Sequence, residues 1–229
     1  MKSLATSIGL CLALLYNTLD LTAQQQISFV PKLYNQPIIV GHKYFLEQQK
    51  DSVQIDKLQF YIANIYFYLD ATEVHEVAQK HFLIDIENTS SLELNCNLEE
   101  GINYNKIKFD LGIDSTTNVS GAMGGDLDPT NGMYWTWQSG YINFKLEGSS
   151  PLCPARKNEF QFHIGGYQAP YNPLQTIELA LTKGNLSIDV NIEQLLDQVD
   201  LTQTYKIMSP NAEAVATSQL FLQLFQQSK

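Results

Sequence analysis

Residues 53–68 read VQIDKLQFYIANIYFY, a long run of apolar and aromatic side chains with few charges. β-Branched and aromatic residues fit a pleated, half-buried strand better than a helix, so the run predicts paired strands. Eight shorter segments have strand character too, and most of them alternate apolar and polar residues as a strand with one buried face does. They are Ile27–Val30, Pro37–Val40, Phe82–Ile86, Ile107–Leu111, Tyr141–Leu146, Phe160–Ile164, Thr176–Leu181 and Leu186–Ile192.

The balance of strands over helices determines the expected fold class. A sheet can bury its apolar face only against another sheet when helices are few, which predicts a sandwich. Turn signals such as Lys183-Gly184-Asn185 separate the runs, as in antiparallel sheets. Helical segments are expected only at Glu193–Gln198 and Pro210–Gln227. We therefore predict an all-β, antiparallel β-sandwich with a short C-terminal helix, forming a single domain over residues 24–229.

One segment does not fit the strand pattern. Gly112–Gly140 reads GIDSTTNVSGAMGGDLDPTNGMYWTWQSG and is rich in glycine. Long loops are uncommon in compact domains unless they have a function. This one contains both tryptophans of the chain, Trp135 and Trp137, and we expect the pair to face the same side if they lie on a strand.

Charge excludes one function class. The 229 residues carry 14 Lys+Arg against 24 Asp+Glu, a formal net charge of −10. Nucleic-acid binding needs clustered basic residues to neutralise phosphates, so it is not expected. No stretch of about 18 consecutive apolar residues exists, and no transmembrane helix is expected.

The N-terminus resembles an export signal. Lys2 precedes the apolar run Ile8–Leu15, and the small residue Ala23 ends the segment, as in a secretory signal peptide. We predict that residues 1–23 are the signal and that the protein is secreted or periplasmic. A lipoprotein anchored through Cys11 is the weaker alternative, because the bulky Leu10 precedes that cysteine.

Export also changes the interpretation of the cysteines. Removal of residues 1–23 leaves Cys96 and Cys153, an even number in an oxidising compartment. They predict a disulfide, which would stabilise the fold by about 4 kcal/mol in the chain-entropy model. A copper–thiolate site is the alternative, but the two cysteines match no CxxC spacing.

Three histidines are candidate metal ligands. His42, His81 and His163 each lie in or beside a different predicted strand, and imidazole suits copper, zinc and nickel. Ordinary core or surface histidines remain the alternative. Aspartates of the glycine-rich loop region offer oxygen ligands for calcium, but turn formation explains them better. They are Asp110, Asp114, Asp126 and Asp128.

No hydrolase elbow, P-loop, dinucleotide fingerprint, HExxH or EF-hand motif is present, so a non-enzymatic protein is expected.

Two parts of the chain resemble the MbnP-like family of exported copper-binding proteins. The first is Gly112–Gly148 followed by FHIGG (Phe162–Gly166), and the second is LQFYIANIYFY (Leu58–Tyr68) followed by HFLID (His81–Asp85). Agreement in order and spacing extends from about residue 29 to residue 181.

The resemblance implies a β-sandwich that binds copper. It also implies that a partner di-haem cytochrome c peroxidase of the MbnH type oxidises a tryptophan to kynurenine, which exposes an aniline nitrogen and a ketone oxygen. Carried onto this chain, the candidates are Trp135 or Trp137 for oxidation and His163 as a ligand. His81 and His42 are weaker ligand candidates.

Other functions compete with copper binding. The aromatic loop suits a surface module that binds a glycan or a peptide. A family member that has lost its metal, or an interaction domain without a small ligand, is also compatible with the sequence.

Overall fold

The computed structural model describes residues 26–98, 102–182 and 184–228. The predicted signal peptide, including Cys11, lies outside them. The strands are β1 (Gln26–Leu33), β2 (Gln36–Pro37), β3 (Lys43–Leu46), β4 (Asp51–Leu69), β5 (Thr72–Glu76), β6 (His81–Asp85), β7 (Glu93–Asn95), β8 (Lys106–Leu111), β9 (Tyr134–Thr136), β10 (Gly140–Ser149), β11 (Glu159–Gly165), β12 (Gln175–Ala180), β13 (Ser187–Asn191), β14 (Lys206–Ile207) and β15 (Phe225–Gln227). The helices are α1 (Ser115–Val119), α2 (Glu193–Leu196) and α3 (Ala212–Gln219), and 3-10 turns span Thr89–Leu92, Gly125–Leu127, Pro129–Asn131, Arg156–Asn158 and Leu220–Gln223. Among the described residues, no helix is long and apolar enough to cross a membrane.

The larger sheet is organised around β4, which is one strand of 19 residues where the sequence suggested a pair. Strands β10 and β8 occupy one edge of β4 in succession, since Phe144 of β10 pairs with Phe60 and Leu111 of β8 pairs with Ile62. Strands β11 and β12 flank β10 and β8 on the outside. β8 and β10 therefore lie end to end, and the glycine-rich loop leaves the sheet between them.

The smaller sheet contains β15, β13, β1 and β2 in that order, with β7 also paired to β1. It packs on the larger sheet through aromatic side chains. Phe29 of β1 lies 6.3 Å from Phe60 and 5.8 Å from Phe109 between ring centroids, and Phe225 contacts all three rings. The predicted β-sandwich is confirmed. Its pairing is mostly antiparallel, with parallel pairs between β1 and β13 and between β11 and β14.

A second, smaller core lies on the outer face of the larger sheet. Side chains alternate along β4, so that Phe60 points into the sandwich and Tyr61 points outward, and both are fully buried. The glycine-rich loop covers Tyr61 with Leu127 and Met133. Because β4 is buried on both faces at this point, its sequence is a continuous apolar run there and not an alternating one.

Two strand boundaries differ from the predictions. Pro37 ends β2, and Ile39 is 63% exposed because the chain turns away from the sheet at Gly41, whose φ is +76°. At the C-terminus the helical segment ends before Phe225, which begins β15 and pairs with Val190. Apolar residues three and four apart suited a helix, but Phe225 completes the core as a strand residue.

The predicted disulfide is not present, because both described cysteines are buried free thiols. Cys96 lies beside His75, which pairs with Phe67 near one end of β4. Cys153 follows β10, whose end pairs with Gln54 near the other end of β4. The two sites are about 40 Å apart along the strand, at 3.3 Å per residue, whereas a disulfide requires Cα atoms within about 7 Å.

Candidate functional site

Buried tyrosine hydroxyls hold the glycine-rich loop against the sheet. Tyr61 donates to the carbonyl oxygen of Asp126 at 2.9 Å, and Tyr141 donates to that of Leu127 at 3.0 Å. The Tyr141 hydroxyl also accepts from the backbone N–H of Met123. Burial raises the pKa of both tyrosines, so their hydroxyls stay protonated and available as donors. The loop is therefore an ordered cover.

Asn118, at the end of α1, joins the two ends of the loop. Its Oδ1 accepts from the backbone N–H of Tyr141 at 2.8 Å, and its Nδ2 donates to the carbonyl oxygen of Ile113 at 2.9 Å. Asp114 caps the same helix by accepting from Thr117 N–H at 2.9 Å. This arrangement fixes where the tryptophan segment re-enters the sheet.

The two tryptophans have different environments. Trp135 lies in β9, which pairs with the start of β10 in a tight hairpin, and it is half-buried. Trp137 lies beyond β9 in the turn and is 73% exposed, while its carbonyl oxygen accepts from the Tyr167 hydroxyl at 3.3 Å. Because β9 ends at Thr136, the expected strand relation between the two indoles does not apply.

Trp135 packs on β11 at Gly165. A Cβ atom at that position would lie 2.4 Å from the carbonyl oxygen of Tyr141 and 2.8 Å from Cα of Ile142, so glycine is required mainly by the backbone of β10. The same Cβ atom would lie 3.1 Å from Cζ3 of Trp135, which shows that the indole packs against Gly165. His163 lies two residues earlier on the same face of β11, which places its Cα about 7 Å from that of Gly165. The structure therefore brings Trp135 and His163 to one corner of the outer face.

His163 is 7% exposed, and its Nε2 lies 2.6 Å from Oε1 of Glu147. Burial is the main reason that its pKa is lowered from 6.5, and the charge of Lys145 on the neighbouring strand acts in the same direction, whereas Glu147 opposes it. The ring is thus neutral at pH 7. If Nε2 carries the proton and donates it to Glu147, the lone pair of Nδ1 is the one a metal ion can use.

His81 lies elsewhere on the same outer face. It is half-buried, its Nε2 is 3.4 Å from Oγ1 of Thr117, and burial lowers its pKa. The strand order β6, β4, β10, β11 separates His81 from His163 by about 14 Å across the sheet, and four residues of β4 add about 13 Å along it. One metal ion cannot contact both imidazoles in this conformation.

His42 is separate from both. It is exposed beside β3, where its ring lies 4.9 Å from that of Tyr44. Gly41, the preceding residue, donates its backbone N–H to the carbonyl oxygen of Ile55, near the start of β4. His42 therefore lies at the end of the sheet that is remote from His81.

The aspartates near the loop have structural partners. Asp126 accepts from the backbone N–H of Leu83 at 3.0 Å, and Asp128 caps a 3-10 turn through Thr130 N–H at 2.8 Å. Asp110 accepts from Asn64 and Thr176 side chains. Nowhere in ranges 26–98, 102–182 and 184–228 do three or more His, Cys, Asp or Glu side chains converge as metal ligands. The interactions of Asp110, Asp126 and Asp128 are therefore those of structural aspartates that hold turns, caps and neighbouring strands.

Two residues of this corner, Lys145 and Glu147, were not among the site residues predicted from the sequence. Lys145 and Glu147 lie on polar positions of an alternating strand, which are ordinarily solvent-facing. Pairing of β10 with β11 places Lys145 directly opposite His163 and Glu147 diagonally from it. Because Glu147 is bonded to Nε2 of His163, the unmodified corner offers a metal ion one nitrogen, Nδ1 of His163, and copper sites usually have further ligands.

Comparisons with known proteins agree with the architecture. The sequence profile of the family described as MbnP matches residues 22–209, well over half of the chain. Among solved structures, MbnP from Methylosinus trichosporium superposes with a TM-score of 0.56 at 13% sequence identity, covering 83% of this chain and 86% of that one. At that identity the likeness concerns the fold. No curated protein sequence matches the chain.

Proposed function

The chain belongs to the MbnP family, and on that premise we propose that it is an exported, non-enzymatic copper-binding protein whose site includes His163 and an oxidised Trp135. Family membership supports a copper-related function. The assignment of His163 and Trp135 follows from their common position at the corner formed by β9, β10 and β11.

One observation carries the proposal. The indole of Trp135 packs on Gly165, two residues from His163 on the same strand face, whereas Trp137 is in the exposed turn. Of the two tryptophans, Trp135 is thus the one whose oxidation products would form beside an imidazole. His163 also has the tautomer-fixing carboxylate that metal-binding histidines usually have, supplied by Glu147.

The chemistry of the donors favours a modified tryptophan. His163 provides one nitrogen, Glu147 is bonded to the opposite side of its ring, and tryptophan itself provides no lone pair for a metal ion. Kynurenine would add an aniline nitrogen and a ketone oxygen, which completes a nitrogen- and oxygen-rich set suited to copper. By the family resemblance, the oxidant would be a partner di-haem peroxidase of the MbnH type, acting in the periplasm or outside the cell.

The proposal is tested by copper titration and peptide mass analysis of protein produced together with its haem peroxidase. We expect oxidation to replace one carbon by one oxygen in the Trp135 peptide and to leave the Trp137 peptide unchanged. His163→Ala should weaken copper binding by at least about tenfold, because losing even a hydrogen-bond partner of a metal ligand typically costs that much affinity.

His42→Ala is the matched control, because this exposed imidazole lies far from the corner. His81→Ala tests the second outer-face histidine. Equal copper affinity of His163→Ala and the parent protein would refute the ligand assignment. Oxidation confined to Trp137 would refute the choice of tryptophan.

A second candidate function rests on the exposed aromatic side chains. Trp137 and Tyr171 are both exposed, and Tyr167 joins their two loops through its bond to the Trp137 carbonyl. Such rings supply stacking area for a glycan or peptide. If Trp137→Ala abolishes binding to glycan or peptide arrays while copper titration is negative, this candidate replaces the first.

A further inference from the structure

Lys145 has an unusual position for a lysine. It lies in the middle of β10, between Gln59 of β4 and His163 of β11, and is 7% exposed. A lysine is almost never this buried unless its ammonium group has a fixed partner. Burial also lowers the pKa of Lys145 from 10.5. The strand could accommodate an apolar residue here at no electrostatic cost, so a specific role for the ammonium is expected.

The partner of Lys145 is the backbone of the tryptophan loop. Its Nζ donates to the carbonyl oxygen of Gly132, three residues before Trp135. None of the ion pairs formed among the described residues includes Lys145, and the nearby carboxylate of Glu147 is bonded to His163. The Lys145 ammonium group therefore bonds the backbone of the loop and not a carboxylate.

Gly132 is a suitable point of attachment. It has a φ of +73° and closes the 3-10 turn Pro129–Asn131 by donating its N–H to the carbonyl oxygen of Pro129 at 3.0 Å. This geometry turns the Gly132 carbonyl toward the sheet, where Lys145 meets it. Immediately afterwards the carbonyl oxygen of Met133 accepts from Ile142 N–H at 2.9 Å, which begins the hairpin that holds Trp135.

We propose that Lys145 is a positioning residue that fastens the tryptophan segment to the outer face of the sheet and so holds Trp135 beside His163. The hydrogen bonds of β9 hold the hairpin together, and the Lys145 bond attaches its base to the strand that faces His163. The functional value of this fastening rests on the copper site proposed above, but the fastening itself requires no metal.

The test uses copper-free protein in which Trp137→Phe leaves Trp135 as the single tryptophan. Lys145→Met keeps the length and burial of the side chain and removes the donor. We expect Trp135 emission to shift to longer wavelength and the Ile142 amide to exchange hydrogen about tenfold faster, the factor that loss of one charged hydrogen bond produces. The midpoint of thermal unfolding should change little, because Gly132 is exposed and water can replace the lysine at its carbonyl oxygen, while the cost of burying the ammonium group disappears.

Two further variants sharpen the test. Lys145→Arg keeps a charged donor and should restore most of the protection and the parent emission. Lys106→Met is the control, because Lys106 of β8 pairs with Tyr68 at the far end of β4 and bonds Glu178 at 3.5 Å. It should change neither readout.

Unchanged emission and exchange in Lys145→Met would overturn the proposal, as would an arginine variant that behaves like the methionine variant. Faster exchange that extends to the amides of β1 and β13 would also overturn it, because the lysine would then support the whole fold. A negative copper titration combined with the expected exchange result would refute the copper function and leave the fastening role intact.

Discussion

Replacing Asn118 by alanine should loosen the entire cover over the outer face. The side chain is almost completely buried, and it bonds the backbone of both Tyr141 and Ile113. Alanine would leave one backbone N–H and one carbonyl buried without these partners. At about 1–3 kcal/mol for each unsatisfied group, Asn118→Ala should cost about 3 kcal/mol.

The expected change is large enough to measure by thermal unfolding. For a domain of this size, 1 kcal/mol corresponds to about 3 °C, so the melting temperature should fall by about 9 °C if cover and sheet unfold together. Circular dichroism in the far ultraviolet follows the sheet, and tryptophan emission follows the cover. A cover that melts first would appear as an early transition in emission only.

Asn131→Ala provides the matched comparison. Asn131 also donates two hydrogen bonds to backbone carbonyls, those of Gly125 at 3.1 Å and Asp126 at 3.0 Å, but it lies near the surface where water can replace it. Its replacement should cost less than about 1 kcal/mol. An Asn118→Ala variant no less stable than Asn131→Ala would show that the buried hydrogen bonds of Asn118 do not hold the cover in place.

Three other outcomes are expected. Burial lowers the pKa of His163 from 6.5, so as the pH falls the unfolded chain binds a proton on this imidazole before the folded chain does. The contribution of the neutral imidazole to the free energy of unfolding should therefore be fully present above pH 6.5 and be lost as the pH drops below it. His163→Gln should flatten that part of a plot of denaturant midpoint against pH. Both described cysteines are buried, with burial raising their pKa values, so a thiol reagent should modify neither in native protein and both in guanidinium without reductant; a lack of reaction in guanidinium would reveal a disulfide. Gly165→Ala should destabilise by about 1–3 kcal/mol, because its Cβ would clash with the backbone of Tyr141 and Ile142, and it should alter tryptophan emission, because the same atom would press on the Trp135 ring. Gly124→Ala has open space and should be silent in both assays.

The sequence predicted the layers of the fold better than the geometry of the site. Alternation at 160–164 correctly separates the core face of β11 from the face of His163, and the same pattern puts His81 on the outer face of β6. Their separation depends on strand order, which alternation does not contain. Likewise Lys145 occupies a position that an alternating pattern marks as solvent-facing, and only the cover folded over it makes it buried.

The prediction of a disulfide was wrong for a related reason. An even number of cysteines in an exported chain predicts pairing, but distance in the fold decides whether pairing can occur. Because β4 is a single long strand and not a hairpin, Cys96 and Cys153 remain near its opposite ends. A turn within β4 would have brought those regions together.

The end-to-end arrangement of β8 and β10 makes the cover an enlarged Ω-loop. Leu111 and Phe144 pair with β4 only two residues apart, at Ile62 and Phe60, so the loop begins and ends at nearly the same place. Because the entropy cost of closing a loop grows slowly with its length, such an excursion can be shortened, extended or exchanged without altering the strands beneath it. The sandwich thus acts as a scaffold that is independent of the loop. A graft of residues 112–140 onto another sheet would recreate the corner only if that sheet also carried the equivalents of Tyr61, Lys145 and His163.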